Sequence, residues 1–481
     1  MGTLFQTLME SDLFQGFSEL EVLELLSGVH YHVRQYEANE VIASDSAPHT
    51  APQEYIYLIL QGRVTHMLNY ATDYEHHLRW LREGKTFGEV VLFSQVEHMP
   101  YTYRALTPTT LLLLPKSFLQ SQGKDYRGLY GRLLLNFLRI LEEMCLFLFQ
   151  KIYCLNAQKV EDRLIRYLTA VSRNGTRSTF QISYNRTELA NYLGVSREAL
   201  SRELSKLRQA NLLQLDMENH VSIPDYGALI SLSRNHLISV YEEKCEEPLE
   251  QGVLPQGSEE LRQIADSSLF RGIEPWRVGW ILHKTGAKVT KCRKGQFLYR
   301  NGNRSNTLYL ILEGEISLLL ELDERHHHIV YQLHPDDLAG VTPFLQEGPQ
   351  FACRALTDCK VLMVEKQALY GVCGEDFAHY CKIIQNLVAI ITQKIVLQRN
   401  KVYYLCTASS EMRLKKYLLD CASLQKSKKV HIPYTREELA SYLGISRPVL
   451  SKDFAKLKRQ GVIDLEKEWI TLLDLDALWD N

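Results

Sequence analysis

The 481-residue sequence has no long uninterrupted apolar run, and its start lacks the basic stretch and apolar segment of an export signal. These absences predict a cytoplasmic protein with no membrane span. The ten cysteines are scattered and contain no CxxC pair. That argues against a disulfide framework and fits a reducing compartment. Paired carboxylates, a nucleophile with its base, and a metal-ligand cluster are also missing in any specific spacing, which argues against an enzyme and against a bound metal. Net charge is nearly absent, with 55 Lys and Arg against 57 Asp and Glu. The balance hides a local excess. Glu161 to Ala210 holds nine Lys/Arg against five Asp/Glu, and Glu411 to Gln460 holds twelve against five. Together these windows carry +11 in a chain of net charge −2. Localised positive charge is what phosphate neutralisation needs; a solvated lysine-rich face is the plainer alternative.

At this length one hydrophobic core cannot serve the whole chain, so several domains are expected. Internal repetition defines them. Ile56-Tyr57-Leu58-Ile59-Leu60-Gln61-Gly62 returns as Leu308-Tyr309-Leu310-Ile311-Leu312-Glu313-Gly314. Arg104-Ala105-Leu106-Thr107 returns as Arg354-Ala355-Leu356-Thr357, and Glu188-Leu189-Ala190-Asn191-Tyr192-Leu193-Gly194 as Glu438-Leu439-Ala440-Ser441-Tyr442-Leu443-Gly444. The offset stays near 250 residues, too long for a solenoid. One chain carries two copies of a whole subunit.

Each copy reads alike. An opening helix is predicted around Leu13 to Leu26 and Leu269 to Leu282. Short strands with Gly turns follow, Val29 to Leu114 and Ala287 to Val364, and imply a jelly-roll barrel. A long helical pattern runs from Tyr126 to Leu155 and from Phe377 to Tyr404. Leu134, Phe137, Leu138, Leu141, Met144, Cys145 and Leu148 recur at helical spacing, as do Ile384, Leu387, Val388, Ile391, Ile395 and Leu397. So long an apolar face predicts a helix-helix seam between copies, with packing on its own barrel as the alternative. Whether the seam forms within one chain or between chains stays open. Further helices are expected at Gln158 to Ser172 and Ser409 to Ala422, hairpin wings at Leu212 to Ile223 (turning at Asn219) and Val462 to Leu472, and an extra helix at Ala228 to Val240. The resulting α+β division is 1–125 barrel, 126–157 long helix, 158–240 winged helix-turn-helix, 241–265 acidic linker, then 266–376, 377–407 and 408–481 as the same three parts again.

The most informative stretch runs from Arg186 to Arg202. Leu189, Ala190 and Leu193 share one face of a short helix, and Gly194 follows where a left-handed backbone ends it. Ser196 is placed to cap a second helix that turns Ala199, Leu200 and Leu204 inward and Arg197, Glu198, Ser201 and Arg202 outward. Two short helices on a tight Gly turn form a helix-turn-helix, whose second helix enters the DNA major groove. There Arg197 and Arg202 each offer paired donors to guanine, and Glu198 accepts from cytosine. Thr187, Ser196, Lys206 and Arg208 suit phosphates. In the second copy the outward set is Arg447, Pro448, Ser451 and Lys452, with Thr435, Ser446, Lys456, Lys458 and Arg459 toward phosphates. Proline accepts nothing from cytosine, and lysine lacks arginine's planar fork. The second copy is therefore expected to be the less specific reader, and the target to be asymmetric.

Barrel, long helix, then winged helix-turn-helix resembles the Crp/Fnr family of bacterial transcription factors, twice over nearly the whole chain. Gly62, Gly314, Phe87-Gly88-Glu89 and Ser196-Arg197-Glu198-Ala199-Leu200-Ser201-Arg202 carry the likeness. The resemblance implies cyclic-nucleotide-binding-like barrels, a TGA-like half-site, RNA polymerase as a partner, and homodimers joined through the long helix. Here it implies a covalent pseudo-dimer, with a further dimer of chains left open. In relatives that bind cyclic nucleotides a Gly-Glu turn holds the ribose and an Arg-Ser pair the phosphate. This chain keeps Gly88 and Glu89, but Met99 and Pro100 stand where the pair belongs. The second copy has Ala339-Gly340-Val341, with no acid and no arginine from Gln346 to Ala352. cAMP is therefore not the expected ligand, and Glu89 reads as a structural acceptor. Gly88, Glu89, Met99, Tyr101 and Tyr103 remain a candidate pocket for an unknown effector, or line an empty barrel. The iron-sulfur branch uses clustered N-terminal cysteines, whereas the first cysteine here is Cys145. His76-His77 and His326-His327-His328 match a haem-binding region of the family but read as turn histidines.

Overall fold

The computed structural model describes residues 2–44, 55–68, 76–88, 101–120, 128–157, 159–172, 177–216, 220–234, 258–299, 307–323, 326–340, 351–370, 377–407, 409–432, 434–466 and 469–479. Glu89, Met99, Pro100, Asn219 and the linker residues 241–257 lie outside them.

Each barrel is two antiparallel four-stranded sheets. In the first, one sheet runs His32–Tyr36, Thr109–Pro115, Tyr55–Gln61, Thr86–Phe87, and the other Val41–Ser44, Thr102–Ala105, Val64–Leu68, His76–Leu81. The second repeats the order with Lys288–Cys292, Cys359–Glu365, Thr307–Glu313, Leu338–Ala339, and Phe297–Tyr299, Phe351–Ala355, Ile316–Asp323, His326–Leu333. Tyr57 pairs with Phe87 and with Leu113, and Tyr309 pairs with Ala339 and with Met363, so the register repeats residue by residue.

The opening segment is two helices where the sequence suggested one. Gly2–Met9 and Glu19–Ser27 are separated by Gly16, at φ +80°, and by Ser18, which forms a capping box with Glu21. In the second copy Ser258–Ala265 and Pro275–Lys284 are split at Gly272, also at φ +80°. Helix Ser258–Ala265 also occupies the end of the 241–265 segment that the sequence predicts as linker. Its Ile264 and Ala265 sit in the barrel core, Gln263 donates to the Leu312 carbonyl at 3.0 Å, and Glu260 meets Lys360 at 2.7 Å. Glu259 is exposed and Glu260 is paired against the barrel, yet composition alone reads both as linker.

The long helices, Leu129–Leu155 and Phe377–Cys406, pack against each other within the chain. Phe137, Leu141 and Leu148 are fully buried from one side, and Leu387, Ile391 and Ile395 from the other. Each buried side chain of this kind is worth about 1.5–3 kcal/mol, so apolar contact dominates the pairing. Polar contacts add register: Gln385 donates to the Tyr130 hydroxyl at 3.3 Å and Gln398 to Cys145 Sγ at 3.1 Å. The segment His379–Cys406 is long and apolar enough by composition to cross a membrane, but here most of its apolar residues are core; Leu397, expected on the seam, is exposed instead.

Each long helix leads into a small domain with its own core. Val160–Val171 and Ser410–Gln425 come first, then Arg186–Tyr192 with Arg197–Gln209, and Arg436–Leu443 with Arg447–Arg459. The wings are three-stranded sheets rather than hairpins. Thr179–Gln181 joins Gln214–Leu215 and His220–Ser222, and Lys429–His431 joins Ile463–Glu466 and Trp469–Leu472. The extra helix after the first wing is described as Tyr226–Arg234.

Candidate nucleic-acid interface

In the first head, Asn185 and Glu188 form a capping box that starts helix Arg186–Tyr192. Gly194 turns the chain at φ +61°, a conformation that costs other residues strain. Ser196 then caps the second helix, its hydroxyl accepting from the Ala199 amide at 3.1 Å. Leu200, Leu204 and Leu207 are buried beneath that helix, and Arg197, Glu198, Ser201 and Arg202 are exposed along its outer side. The Glu198 carboxyl is held below its usual range by its own backbone amide and by the Ser196 hydroxyl, with Arg197 and Arg202 adding to it. It is thus an anionic acceptor between two cations on one exposed face. Thr187 and Arg208 are exposed beside it, and Lys206 pairs with Glu203 at 2.8 Å, an exposed contact that a phosphate can replace.

The second head keeps the frame and changes the contents. Gly444 turns at φ +65°, and Leu450, Phe454 and Leu457 are buried beneath helix Arg447–Arg459. Ser446 stands at the N-cap but makes no side-chain cap bond; Pro448 occupies the first turn, where its missing N–H costs nothing. Arg447, Pro448, Ser451 and Lys452 are exposed, as is Thr435. Arg447 lies 3.9 Å from Glu437, Lys456 pairs with Glu411, and Lys458 pairs with Asp464 at 3.0 Å.

Two arginines that the sequence reading passed over fix both heads to their long helices. Arg163 donates from Nε to the Ala157 carbonyl at 2.8 Å, and from Nη1 to Leu193 and Gly194 at 2.9 and 3.1 Å. Arg413 makes the same three bonds to Thr407, Leu443 and Gly444 at 2.7, 3.0 and 3.2 Å. Each therefore ties the end of the long helix to the turn that orients the reading helix. The signal was available, since both arginines sit at the repeat spacing. Lys151 and Lys401 form a second matched pair. Both are buried, which pushes each ammonium down to about 8, and they lie 5.2 and 5.0 Å from the rings of Tyr192 and Tyr442.

The match to protein families follows the same division. The Crp-like helix-turn-helix domain matches residues 162–232 and 412–480, and the cyclic nucleotide-binding domain matches 33–126 and 289–376. The chain is a tandem member of the Crp/Fnr family. Its relatives include the CRP-like cAMP-activated global transcriptional regulator of Mycobacterium tuberculosis, 20% identical over 45% of this chain and 96% of that regulator. The Haemophilus influenzae anaerobic regulatory protein is 23% identical over 39% of this chain and 73% of its own length. Among solved structures, FixK2 from Bradyrhizobium japonicum is 20% identical and covers 40% of this chain and 96% of its own, with a TM-score of 0.31. Each matches about one half of the tandem chain, and the Crp/Fnr assignment makes it a transcriptional regulator of that type.

The barrels of this Crp/Fnr chain differ inside. In the first, Tyr57 stacks on Phe87 at 4.9 Å, and Tyr103 lies 4.6 Å from Phe87 and 5.5 Å from Tyr101. Tyr101 and Tyr103 are buried, and Gly88 at φ +86° packs under Tyr57, where a Cβ would fall 2.8 Å from the ring. Tyr57, Phe87, Tyr101 and Tyr103 thus form a buried aromatic cluster in the first barrel. The second barrel has Ala339, Leu318 and Cys353 at the places of Phe87, His66 and Tyr103. Of the paired histidines, His77 bonds Thr65 at 2.7 Å and stacks on Trp80 at 5.3 Å. The side chains of His76 and of 326–328 lie outside the description. Among the described residues no group of three His, Cys, Asp or Glu is placed to hold a metal ion.

Proposed function

We propose that this Crp/Fnr-type regulator works as a covalent pseudo-dimer, one chain reading two unlike half-sites of one operator. The pairing of Leu129–Leu155 with Phe377–Cys406 inside the chain carries this reading. It gives each head the helix partner that a second subunit supplies elsewhere. Arg197, Glu198, Ser201 and Arg202 read the first half-site through base edges. Arg447, Ser451 and Lys452 read the second with fewer directed contacts, and Thr187, Ser196, Lys206, Arg208, Thr435, Ser446, Lys456 and Lys458 set register on phosphates. The protein acts in the cytoplasm on double-stranded DNA and on RNA polymerase. It runs no catalytic step, and cAMP does not control it. Mass measurement in solution with and without DNA, combined with selection of bound sequences from a random pool, tests the proposal. One chain per operator and an asymmetric consensus are expected. Two chains per operator, or a perfect palindrome contacted equally by both halves, would overturn it.

A further inference from the structure

Arg399 belongs to the second long helix but reaches into the first half of the protein. It is 1% exposed, and its Nη2 donates to Nε2 of His66 on strand Val64–Leu68 of the first barrel. Its Nε and Nη1 are buried and have no hydrogen-bond partner among the described residues. A guanidinium keeps its proton at any cellular pH, so the charge stays buried with two open donors. Buried charges are ordinarily paired, which makes the missing acceptor informative.

His66 does not supply the counter-charge. Burial, then the nearby Arg399, Arg79 and Lys151, holds its ring in the neutral form. All three neighbours are cations. Arg79 donates to Met144 Sδ at 2.8 Å, and Lys151 donates to the carbonyls of His77 and Leu78 at 3.1 and 3.2 Å. These hydrogen-bond partners are a thioether and two carbonyls, not carboxylates. The guanidinium meets the barrel beside aromatic rings, with His66 4.4 Å from Tyr103. The other half keeps the counterpart of Lys151, Lys401, but lacks the arginine, the histidine and the tyrosine. The repeat places Phe149 opposite Arg399, Leu318 opposite His66 and Cys353 opposite Tyr103.

We propose that the first barrel takes the carboxylate or phosphate group of a small molecule, held by Arg399 from the second long helix, and that each chain has one such site. The proposal rests on the intrachain helix pairing and names the ligand chemistry of the first barrel. A ligand held this way bridges the two copies directly, because its barrel comes from one and its charge partner from the other.

Calorimetric titration of the full chain with inorganic phosphate, benzoate and cAMP tests it. Phosphate or benzoate is expected to bind at one equivalent per chain, and the preference between them separates phosphate from carboxylate chemistry. Arg399→Gln should weaken that binding at least tenfold, and Phe149→Leu should leave it unchanged. Arg399→Lys, which keeps the charge and loses the fork, should weaken it less than Arg399→Gln and serves if the glutamine variant does not fold. No binding by any of the three, two equivalents per chain, or binding indifferent to Arg399 would overturn the site. Binding of cAMP through Arg399 would support the oxyanion site and overturn cAMP independence. Two chains per operator would overturn the pseudo-dimer without touching the titration.

Discussion

The two halves of this chain share their mechanics and differ in their contents. Arg163 and Arg413 make the same three bonds, and Lys151 and Lys401 lie against the same ring position. The parts proposed to meet DNA or ligand, and those that meet the neighbouring domain, do not match. Arg197, Glu198 and Arg202 face Arg447, Pro448 and Lys452, and an aromatic barrel faces one with Ala339, Leu318 and Cys353. The attachment of each head to its barrel differs as well. In the first half Arg63 reaches Glu188 at 3.2 Å, and Trp80 meets Tyr184 at 5.9 Å, across a cleft of about 590 Å³. In the second half Glu315 stands in place of Arg63 and faces His334 at 3.7 Å. The lesson is that joining two subunits in one chain removes the demand that every substitution work twice. Hinge residues still serve identical jobs and stay alike, while readers and barrel linings are free to diverge.

The strongest test of this contrast is at the DNA. Arg197→Ala with Arg202→Ala should cost about 2–6 kcal/mol of discrimination, at about 1–3 kcal/mol per directed base contact. Arg447→Ala with Lys452→Ala should cost clearly less and act more on the salt dependence than on sequence preference. Fluorescence anisotropy on the selected operator and on scrambled DNA, across salt concentrations, measures both. Equal losses would erase the distinction between the heads. Pro448→Glu with Lys452→Arg should sharpen it from the other side, gaining about tenfold on a palindrome of the first half-site, roughly one directed contact.

Next in size is the hinge, where the halves should agree. Arg163→Ala and Arg413→Ala each leave two buried turn carbonyls without their donor, at about 1–3 kcal/mol per unsatisfied group. Each variant should loosen its own head to a similar degree in hydrogen exchange. A marked difference would show that the shared geometry hides unequal roles.

A smaller effect concerns pH. His66 is neutral when folded and has an ordinary value of 6.5 when unfolded, so the unfolded chain binds the extra proton as pH falls. Stability from this group is therefore complete above about pH 6.5 and is lost below it, at up to about 1.4 kcal/mol per pH unit. His66→Gln should remove that slope in denaturant titrations between pH 5 and 7, and Leu318→Gln should not.

The smallest effect belongs to the Arg63–Glu188 contact, in which Arg63 is half exposed. Arg63→Ala should cost no more than about 1 kcal/mol of stability. It should still raise exchange in helix Arg186–Tyr192 toward the level of Arg436–Leu443.

Much of this architecture was legible in the residues, because strand motifs, turn glycines and the Gly194 and Gly444 turns repeat almost letter for letter. The outward residues of helix Arg197–Gln209 could be named because an amphipathic helix with a buried Leu200 and Leu204 leaves few outward places. What escaped was set by tertiary contact. Thr179–Gln181 is too short to show a period and is a strand only through its neighbours. Arg163 looks like any solvated helix arginine until its carbonyl partners are folded around it. Arg399 and His66 lie 333 positions apart, and neither carries a local signal of the other. Ser258–Ala265 reads as acidic linker because its Glu260 finds Lys360 and its Ile264 finds the core only in the folded barrel.

A helix pair closed inside one chain also changes what concentration means for the protein. Two separate subunits come apart on dilution, so the amount of competent regulator falls faster than the amount of protein. Here the partner is always present at the effective concentration set by the tether, which for short flexible connections is of millimolar order. Under the proposed pseudo-dimer, the number of active molecules tracks the number of chains in simple proportion, even at a few copies per cell.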